Sequence, residues 1–399
     1  MKYSEIVKKY DNFRQPKIEV KVGGKSINDS KKPLAISSVT VDLTAGFEAS
    51  QAIFSIYNAY DYNDAKFNFD DVKNYVLIGS YVQIFMGYGM NVMEVFRGVI
   101  TKVTFLIEEE DAPNVQVTAM DVKAIMMANR YQKILKATSY SEAIKEIFGQ
   151  GIYDNLKNDE AILGYEIEDT PDAGGAGGAS SGDSSEETDK MIEMVGESDY
   201  EFVVRVAKRF SYDFFVLGGR VYFRKAKNDS TSQMTISPGT DMPANIIKRL
   251  SVEYDVSGLT EEIEVRGLDV GKAKLLSTTK KNSSKISQGS KAKSLLSGSK
   301  FVYIDPTVDS KEEAGYRASY LLEDMMYRYG TLELDMIGIP DIIPGKFINV
   351  TDVGTAVSNE FYVQSVQHSM SRDGEFSTRI VGKTAQQGSG SLLSLSSLL

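Results

Sequence analysis

Gly79-Ser-Tyr-Val-Gln-Ile84, followed ten residues on by Glu94-Val-Phe-Arg-Gly-Val-Ile100, has a counterpart near the other end of the chain. There Gly345-Lys-Phe-Ile-Asn-Val350 is followed ten residues on by Glu360-Phe-Tyr-Val-Gln-Ser-Val366. The displacement, 345 − 79 and 360 − 94, is 266 residues in both segments. Each copy opens with glycine, sets an aromatic beside β-branched residues, and resumes with Glu, an apolar residue and an aromatic. An acidic turn and a last alternating strand follow: Glu108 to Asp111 in one copy, Arg372 to Gly374 in the other. Short β-hairpins resemble one another by chance, but a constant displacement favours two copies of one β-unit, and hence two barrels.

Working outward, Ile18, Val20 and Val22 alternate before Gly23-Gly24, and Val39, Val41 and Leu43 alternate again. With 52–57, 81–86, 95–107 and 115–119 this makes about six strands with one apolar face, suited to a small barrel whose closure would leave no open edge. Ile246 to Tyr254, 262–268, 331–337, 346–350, 361–370 and 375–381 read as six more.

The middle has another character. Residues 121–130 carry helix formers with an apolar stripe, and Ser139-Tyr-Ser-Glu142 is a capping box opening a helix to Phe148. Ser198-Asp-Tyr-Glu201 opens a helix to Phe210, with Phe202, Val203, Val206, Ala207 and Phe210 on one face. A hairpin turning at Gly218-Gly219 follows. Ser310-Lys-Glu-Glu313 starts a third helix, read through Tyr329 to a stop at Gly330. Residues 172–189, rich in Gly, Ser and acids, are expected to be a mobile loop. Residues 272–300, rich in Lys and Ser, read as a solvated insertion or a surface for an acidic partner; no aromatics interleave for base stacking.

Of 399 residues 42% are hydrophobic, enough for two to four cores. The 55 acids against 45 bases give a net charge of −10, which argues against general nucleic-acid binding. There is no cysteine and one histidine, His368, so thiolate and multi-histidine metal sites are excluded, and no cofactor is expected. No stretch reaches transmembrane length, and the first residues lack the apolar core of a signal peptide. His368 lies on an alternating strand with Ser369 and Ser371, poor geometry for a triad, and reads as structural. Asp61, Asn63, Asp64, Asp70 and Asp71 lack the glycine and terminal Glu of a calcium loop and read as a solvated loop or subunit contact.

Three segments carry a family likeness. Residues 197–224, from Glu-Ser-Asp-Tyr-Glu-Phe to Gly-Gly-Arg-Val-Tyr-Phe-Arg, resemble the helix-hairpin of the phage late control gene D and VgrG hub proteins. Val115-Gln-Val-Thr-Ala-Met-Asp121 resembles the end of that family's first barrel. Gly338-Ile-Pro, Pro344-Gly and Phe361-Tyr-Val-Gln-Ser-Val-Gln-His368 resemble its closing barrel. The likeness covers roughly residues 17 to 385 in order.

It implies an α+β, mainly β fold: two tail-tube-like β-barrel domains with inserted helical and hairpin parts. The expected division is a first barrel at 1–122, an α+β domain at 123–235, a second barrel at 236–385 with an insertion at 269–330, and a flexible tail at 386–399. The resemblance further implies a non-enzymatic, homotrimeric baseplate hub of a contractile tail, whose six barrels match a hexameric tail tube on one side and a three-fold spike on the other. The expected partners are the tube protein, a separate spike protein, and other baseplate and tape-measure proteins, with no membrane and no specific nucleic acid. Assembly is expected in the bacterial cytoplasm, then residence in a virion baseplate or phage-tail-like particle. Because the second barrel runs almost to the last residue, the spike is expected to be a separate chain, docked by Leu392, Leu393, Leu395, Leu398 and Leu399. The alternatives are a tail-tip peptidoglycan hydrolase and a carbohydrate-binding baseplate protein.

Overall fold

The computed structural model describes residues 2–27, 34–109, 111–171, 192–239, 242–243, 246–269, 273–282, 289–308 and 310–388. Twelve strands form two units of six. The first unit holds β1 (Pro16–Val22), β2 (Ala35–Thr44), β3 (Gln51–Tyr57), β4 (Tyr81–Tyr88), β5 (Asn91–Leu106) and β6 (Asn114–Met120). The second holds β7 (Ser232–Ile236), β8 (Ile247–Tyr254), β9 (Gly330–Ile337), β10 (Phe347–Val350), β11 (Asn359–Met370) and β12 (Phe376–Thr384).

Their spatial order is β2-β3-β6-β5-β4-β1 in the first unit and β8-β9-β12-β11-β10-β7 in the second, the same order twice. The correspondence extends to single residue pairs. Gly79 and Gly345 have φ of 90° and 84°, a region only glycine enters without strain, so each copy needs glycine at this corner. Each exchanges two backbone bonds through its corner. Gly79 N–H donates to Ile100 O (2.8 Å) and Ile100 N–H to Ser80 O (2.9 Å). Gly345 N–H donates to Val363 O (2.9 Å) and Val363 N–H to Lys346 O (2.8 Å). Just beyond each anchor the strand slips by one residue, between Ile100 and Lys102 in one unit and between Val363 and Ser365 in the other. A second matching slip lies between Ile36 and Ser38 and between Ile247 and Arg249. Across the sheet, the row Val41, Ala52, Ala119, Ile100 matches Val252, Leu332, Gly382, Val363.

The pairing corrects the sequence alignment in one strand. Gly79 corresponds to Gly345, but Ile100 corresponds to Val363, a displacement of 363 − 100 = 263. The Glu94 and Glu360 motifs are therefore three residues out of step: the path from corner to anchor is 100 − 79 = 21 residues in the first unit and 363 − 345 = 18 in the second, whose shorter hairpin arms outweigh its longer loop at 351–358. One pairing differs in direction: β1 runs antiparallel to β4, β7 parallel to β10.

The units are not two separately closed sheets, as the sequence suggested. One open 13-stranded sheet runs through both. β11 has twelve residues and β10 only four, so beyond Tyr362 the β11 edge is left bare and takes β2, from Ser365 opposite Thr44 to Met370 opposite Val39. A single apolar cluster, with Val20, Ile84, Phe96 and Val117 from one unit and Leu334, Ile348, Phe361 and Ile380 from the other, fills the interior. Tyr88 donates to Gly338 O (2.8 Å) across the boundary.

Three further sequence readings change. The strand Glu262–Asp269, expected in the second β-unit, pairs instead with Lys274–Lys281 and Lys300–Ile304, and Ser232–Ile236 takes the sixth place. Its Ile263 and Val265 are needed under helix α3 (Lys311–Met326), whose Ala314 and Ala318 pack on them. Consequently the lysine-rich stretch is not simply solvated loop: its lysines meet strand carboxylates, Lys281 with Glu262 (2.7 Å) and Lys300 with Glu264 (2.6 Å). The helix read over 121–130 shrinks to Lys123–Met126, because Tyr131–Leu135 pairs as a strand with Ile192–Glu197. Helix α3 ends at Met326 rather than Tyr329.

Between the units, α1 (Tyr140–Phe148) and α2 (Asp199–Phe210) close a second core over a sheet of Gly164–Ile167, Arg220–Lys225 and Tyr212–Leu217. The expected α2 face is buried there, Phe202, Val203, Val206, Ala207 and Phe210 together.

Candidate functional surfaces

The motif beginning at Ser198 is a structural joint. Ser198 Oγ accepts from Glu201 N–H (3.1 Å), and the Glu201 carboxylate accepts from Ser198 N–H (2.8 Å), which satisfies two donors at the α2 start. Asp199 is buried and accepts from the hydroxyls of Tyr131 and Tyr153, the latter at 2.6 Å. Burial first, and the Asp199 carboxylate second, push the Tyr131 hydroxyl up to about 12 and Tyr153 further still. Tyr200 donates to Phe47 O (3.1 Å), reaching into the first unit. Two adjacent residues, Asp199 and Tyr200, thus tie one helix to two neighbouring elements and to the turn between β2 and β3.

Beside this joint, Lys123 is fully buried and donates to the carbonyls of Gly46 (3.0 Å), Phe47 (3.2 Å) and Glu48 (2.8 Å). Burial lowers its ammonium to about 8, opposed by Asp121. Asp121 in turn accepts from Ser50 N–H (2.7 Å) and Lys123 N–H (2.8 Å). This buried pair has no open side from which a substrate could approach, so it fixes the 46–50 turn rather than doing chemistry.

His368 faces the core at the unit boundary. Its Nε2 lies 3.1 Å from Ile342 O and its Nδ1 3.0 Å from Thr378 Oγ1. Ile342 O can only accept, so Nε2 carries the proton, and Nδ1 accepts from Thr378 Oγ1, which itself accepts from Ile339 N–H (2.9 Å). Burial holds the imidazole down at about 4, neutral at any ordinary pH. Ser369 and Ser371 are not among its partners, in keeping with a structural histidine.

The acidic loop is likewise self-contained. Asp61 Oδ1 accepts from Asn63 N–H (2.9 Å) and Asp64 N–H (3.3 Å), Asp64 pairs with Lys66 (2.7 Å) and Asp70 with Lys73 (3.0 Å). Those two backbone bonds hold the Asp61 carboxyl below its usual range. Among the described residues no group of three or more His, Cys, Asp or Glu could hold a metal ion. No helix among them is long and apolar enough to cross a membrane.

A cleft of about 480 Å³ opens where the main sheet, α2 and α3 meet, lined in part by Gly46, Lys208, Asp213, Lys227, Tyr327 and Tyr362. Tyr362 donates to Asp213 (2.9 Å), Ser211 to Glu323 (3.2 Å), and Lys227 lies over the Tyr327 ring at 4.5 Å. A serine is present, but the only histidine of the chain is locked in the core, so a Ser-His relay cannot form here.

The conspicuous surfaces are apolar instead. Tyr62, Phe69, Leu77, Ile78, Phe105 and Ile107 stand exposed at the end of β5 and the loop before β4. A second exposed set, Leu268, Leu275 and Ile304, lies on the outer face of the insertion sheet. The sequence reading flagged the neighbouring acids and lysines and passed over these residues, because exposure of a strand residue depends on which edge and face stay uncovered. The five leucines of the tail and residues 172–189 lie outside the described residues.

No curated protein matches the chain. The family model described as Alg8 N-terminal domain matches residues 14–160, under half of the chain, and that match stops inside the second core, which needs residues 162–223 to be complete. Solved structures match over nearly the whole length. The tail protein from Neisseria meningitidis is 14% identical with a TM-score of 0.65, covering 93% of this chain and 97% of that one. The 43 kDa tail protein of prophage MuSo2 from Shewanella oneidensis is 12% identical with a TM-score of 0.61, covering 93% and 99%. An Escherichia coli protein, described as a component of the type VI secretion system with structural similarity to the T4 bacteriophage tail proteins gp27 and gp5, is 12% identical with a TM-score of 0.53, covering 91% and 76%. At these identities the likeness establishes the fold: this chain is built like phage tail proteins over more than nine-tenths of its length.

Proposed function

We propose that the chain is the central hub of a contractile-tail baseplate, a homotrimer that joins a hexameric tail tube to a spike. The observation that carries this reading is the six-strand order present twice in one chain, matched down to glycine corner and strand slip. Three chains with two such units each present six similar faces to a six-fold tube while keeping three-fold symmetry toward a spike. The fold shared with tail proteins over more than nine-tenths of the chain supports it. In this reading the units at 1–122 and 236–385, the second reaching back to Ser232 because β7 belongs to it, are tube-like barrels, completed in the assembly, and the rest of 123–235 is the α+β domain that braces them. The role is mechanical and non-enzymatic, in a particle assembled in the bacterial cytoplasm.

Mass and symmetry of the purified chain test the reading. A closed trimer with pseudo-six-fold density supports it; a two-fold particle or a single chain at all concentrations refutes it. Zymography on peptidoglycan is expected to show no clearing. The spike is proposed to dock on Leu392, Leu393, Leu395, Leu398 and Leu399. Because Gln386 O still accepts from Asn359 (2.7 Å), the truncation that tests this starts after Gly388. A folded trimer that loses its spike during purification is the expected result, and full spike retention removes the leucines from the account.

A further inference from the structure

We propose that copies of this chain join head to tail by one β-ladder: the bare edge of β5 in one copy pairs antiparallel with the bare edge of β8 in the next. This deepens the hub reading and rests on it.

The argument starts from a junction the chain already contains. Past its anchor at Val363, β11 keeps β12 on one edge and takes β2 on the other, over Ser365 to Met370. Past its own anchor at Ile100, β5 keeps β6 on one edge through Leu106 and, among the described residues, has no strand on the other. β8 is the counterpart of β2, and among the described residues it ends the sheet, with β9 on one edge and no strand on the other. The second unit therefore uses its β11 edge on the first unit, while the equivalent β5 edge and the equivalent β8 edge carry no strand among the described residues. Two chains bring them together.

Burial follows the same division. At the occupied junction the inward residues of β11, Val366, His368 and Met370, are 1%, 0% and 8% exposed. With the 263-residue displacement their counterparts on the β5 side are Val103, Phe105 and Ile107, and the last two are 42% and 66% exposed. In one copy Val103 packs on the core and Phe105 is covered on one side by the rings of Phe67 and Phe69, at 5.1 Å and 6.5 Å between centroids, while Ile107 stays largely exposed.

The register can be carried over. His368 faces Val41, so Phe105 faces Val252; Met370 faces Val39, so Ile107 faces Leu250; Val366 faces Leu43, so Val103 faces Tyr254. Each apolar residue meets an apolar residue. The charges agree as well: Lys102 falls opposite Asp255, and Glu108 and Glu109 come beside Arg249 and Lys248. A parallel pairing would set Lys102 beside Lys248 and Arg249, so the charges select the antiparallel direction. A long bare edge with apolar flanks invites uncontrolled pairing unless an assembly covers it. A head-to-tail contact of this kind closes into a ring when its rotation divides a full turn.

The absence of cysteine makes the test clean. Thr104 falls opposite Glu253, where antiparallel partners stand about 4.5–5.5 Å apart between Cα atoms, within disulfide reach. The full-length double variant Thr104→Cys with Glu253→Cys is oxidised and run without reductant, beside each single variant and the shifted pair Thr104→Cys with Ser251→Cys. The expected result is a ladder of two and three linked chains from the first pair, with several-fold less from the shifted pair and none from the single variants. Phe105→Asp is measured in parallel and is expected to reduce the particle to single chains while its far-ultraviolet dichroism stays unchanged. A closed trimer that gives no Thr104–Glu253 link, or that survives Phe105→Asp intact, overturns this pairing and leaves the hub reading standing. A two-fold particle or a permanent single chain overturns both.

Discussion

Lowering the pH from neutral to about 5.5 should cost this protein about 1.2 kcal/mol of stability through one side chain, His368. The imidazole is fully buried, donates to Ile342 O, accepts from Thr378, and packs beside Phe376 with Asp341 as its nearest charge influence. Burial lowers its pKa from 6.5 to about 4. The unfolded chain therefore takes up a proton near 6.5 while the native chain refuses it until about 4. Stability from this group is complete above 6.5 and is lost as pH falls through the interval down to about 4. The full shift corresponds to about 3 kcal/mol, and the part lost by about pH 5.5 depends almost wholly on the unfolded-state value. The assay is urea unfolding of wild type and His368→Gln across this range. Gln can still donate to Ile342 O but cannot titrate. Asp121, whose carboxyl burial raises, titrates equally in both proteins and cancels in the difference. The variant should start weaker and then converge on wild type by about 1.2 kcal/mol by about pH 5.5. The single histidine also gives one imidazole resonance, expected to stay neutral through the same range. Parallel pH profiles for the two proteins, or an imidazole that titrates near 6.5, would refute the reasoning.

Phe202→Ala should cost about 3–5 kcal/mol in the unfolding midpoint, since the ring is fully buried in the second core and its removal leaves a cavity. Asp199→Ala should cost about 1–3 kcal/mol, because the buried Tyr153 hydroxyl loses its acceptor while Tyr131 keeps Gln150, and the loss should be less than additive with Tyr153→Phe in a double-mutant cycle. Lys123→Met should cost about 3–5 kcal/mol, because Gly46, Phe47 and Glu48 lose their common donor and Asp121 its counter-charge; thermal melts should show the loss with assembly symmetry unchanged.

The sequence by itself determined the local grammar. The glycine corners at Gly79 and Gly345 were legible because a left-handed corner demands glycine whatever surrounds it. The starts of α1, α2 and α3 were legible because Ser139, Ser198 and Ser310 cap their own helices within four residues. The alternation of β9 and β12 was legible because each has one face in the core. Pairing was not. Nothing local to Ile263 and Val265 distinguishes a strand under α3 from one in the main sheet, and Ser232–Ile236 gained its place only because Phe347–Val350 offered an edge. The tertiary structure decided that Asp199, inside the box that Ser198 and Glu201 close, holds two tyrosines from elements 46 and 68 positions away. It decided that β11, by outrunning β10, would receive β2 and merge two units into one open sheet. Helix caps and tight corners are settled by residues a few positions apart. Strand neighbours are settled by which edges remain free after every other strand has paired, and that is a property of the whole chain.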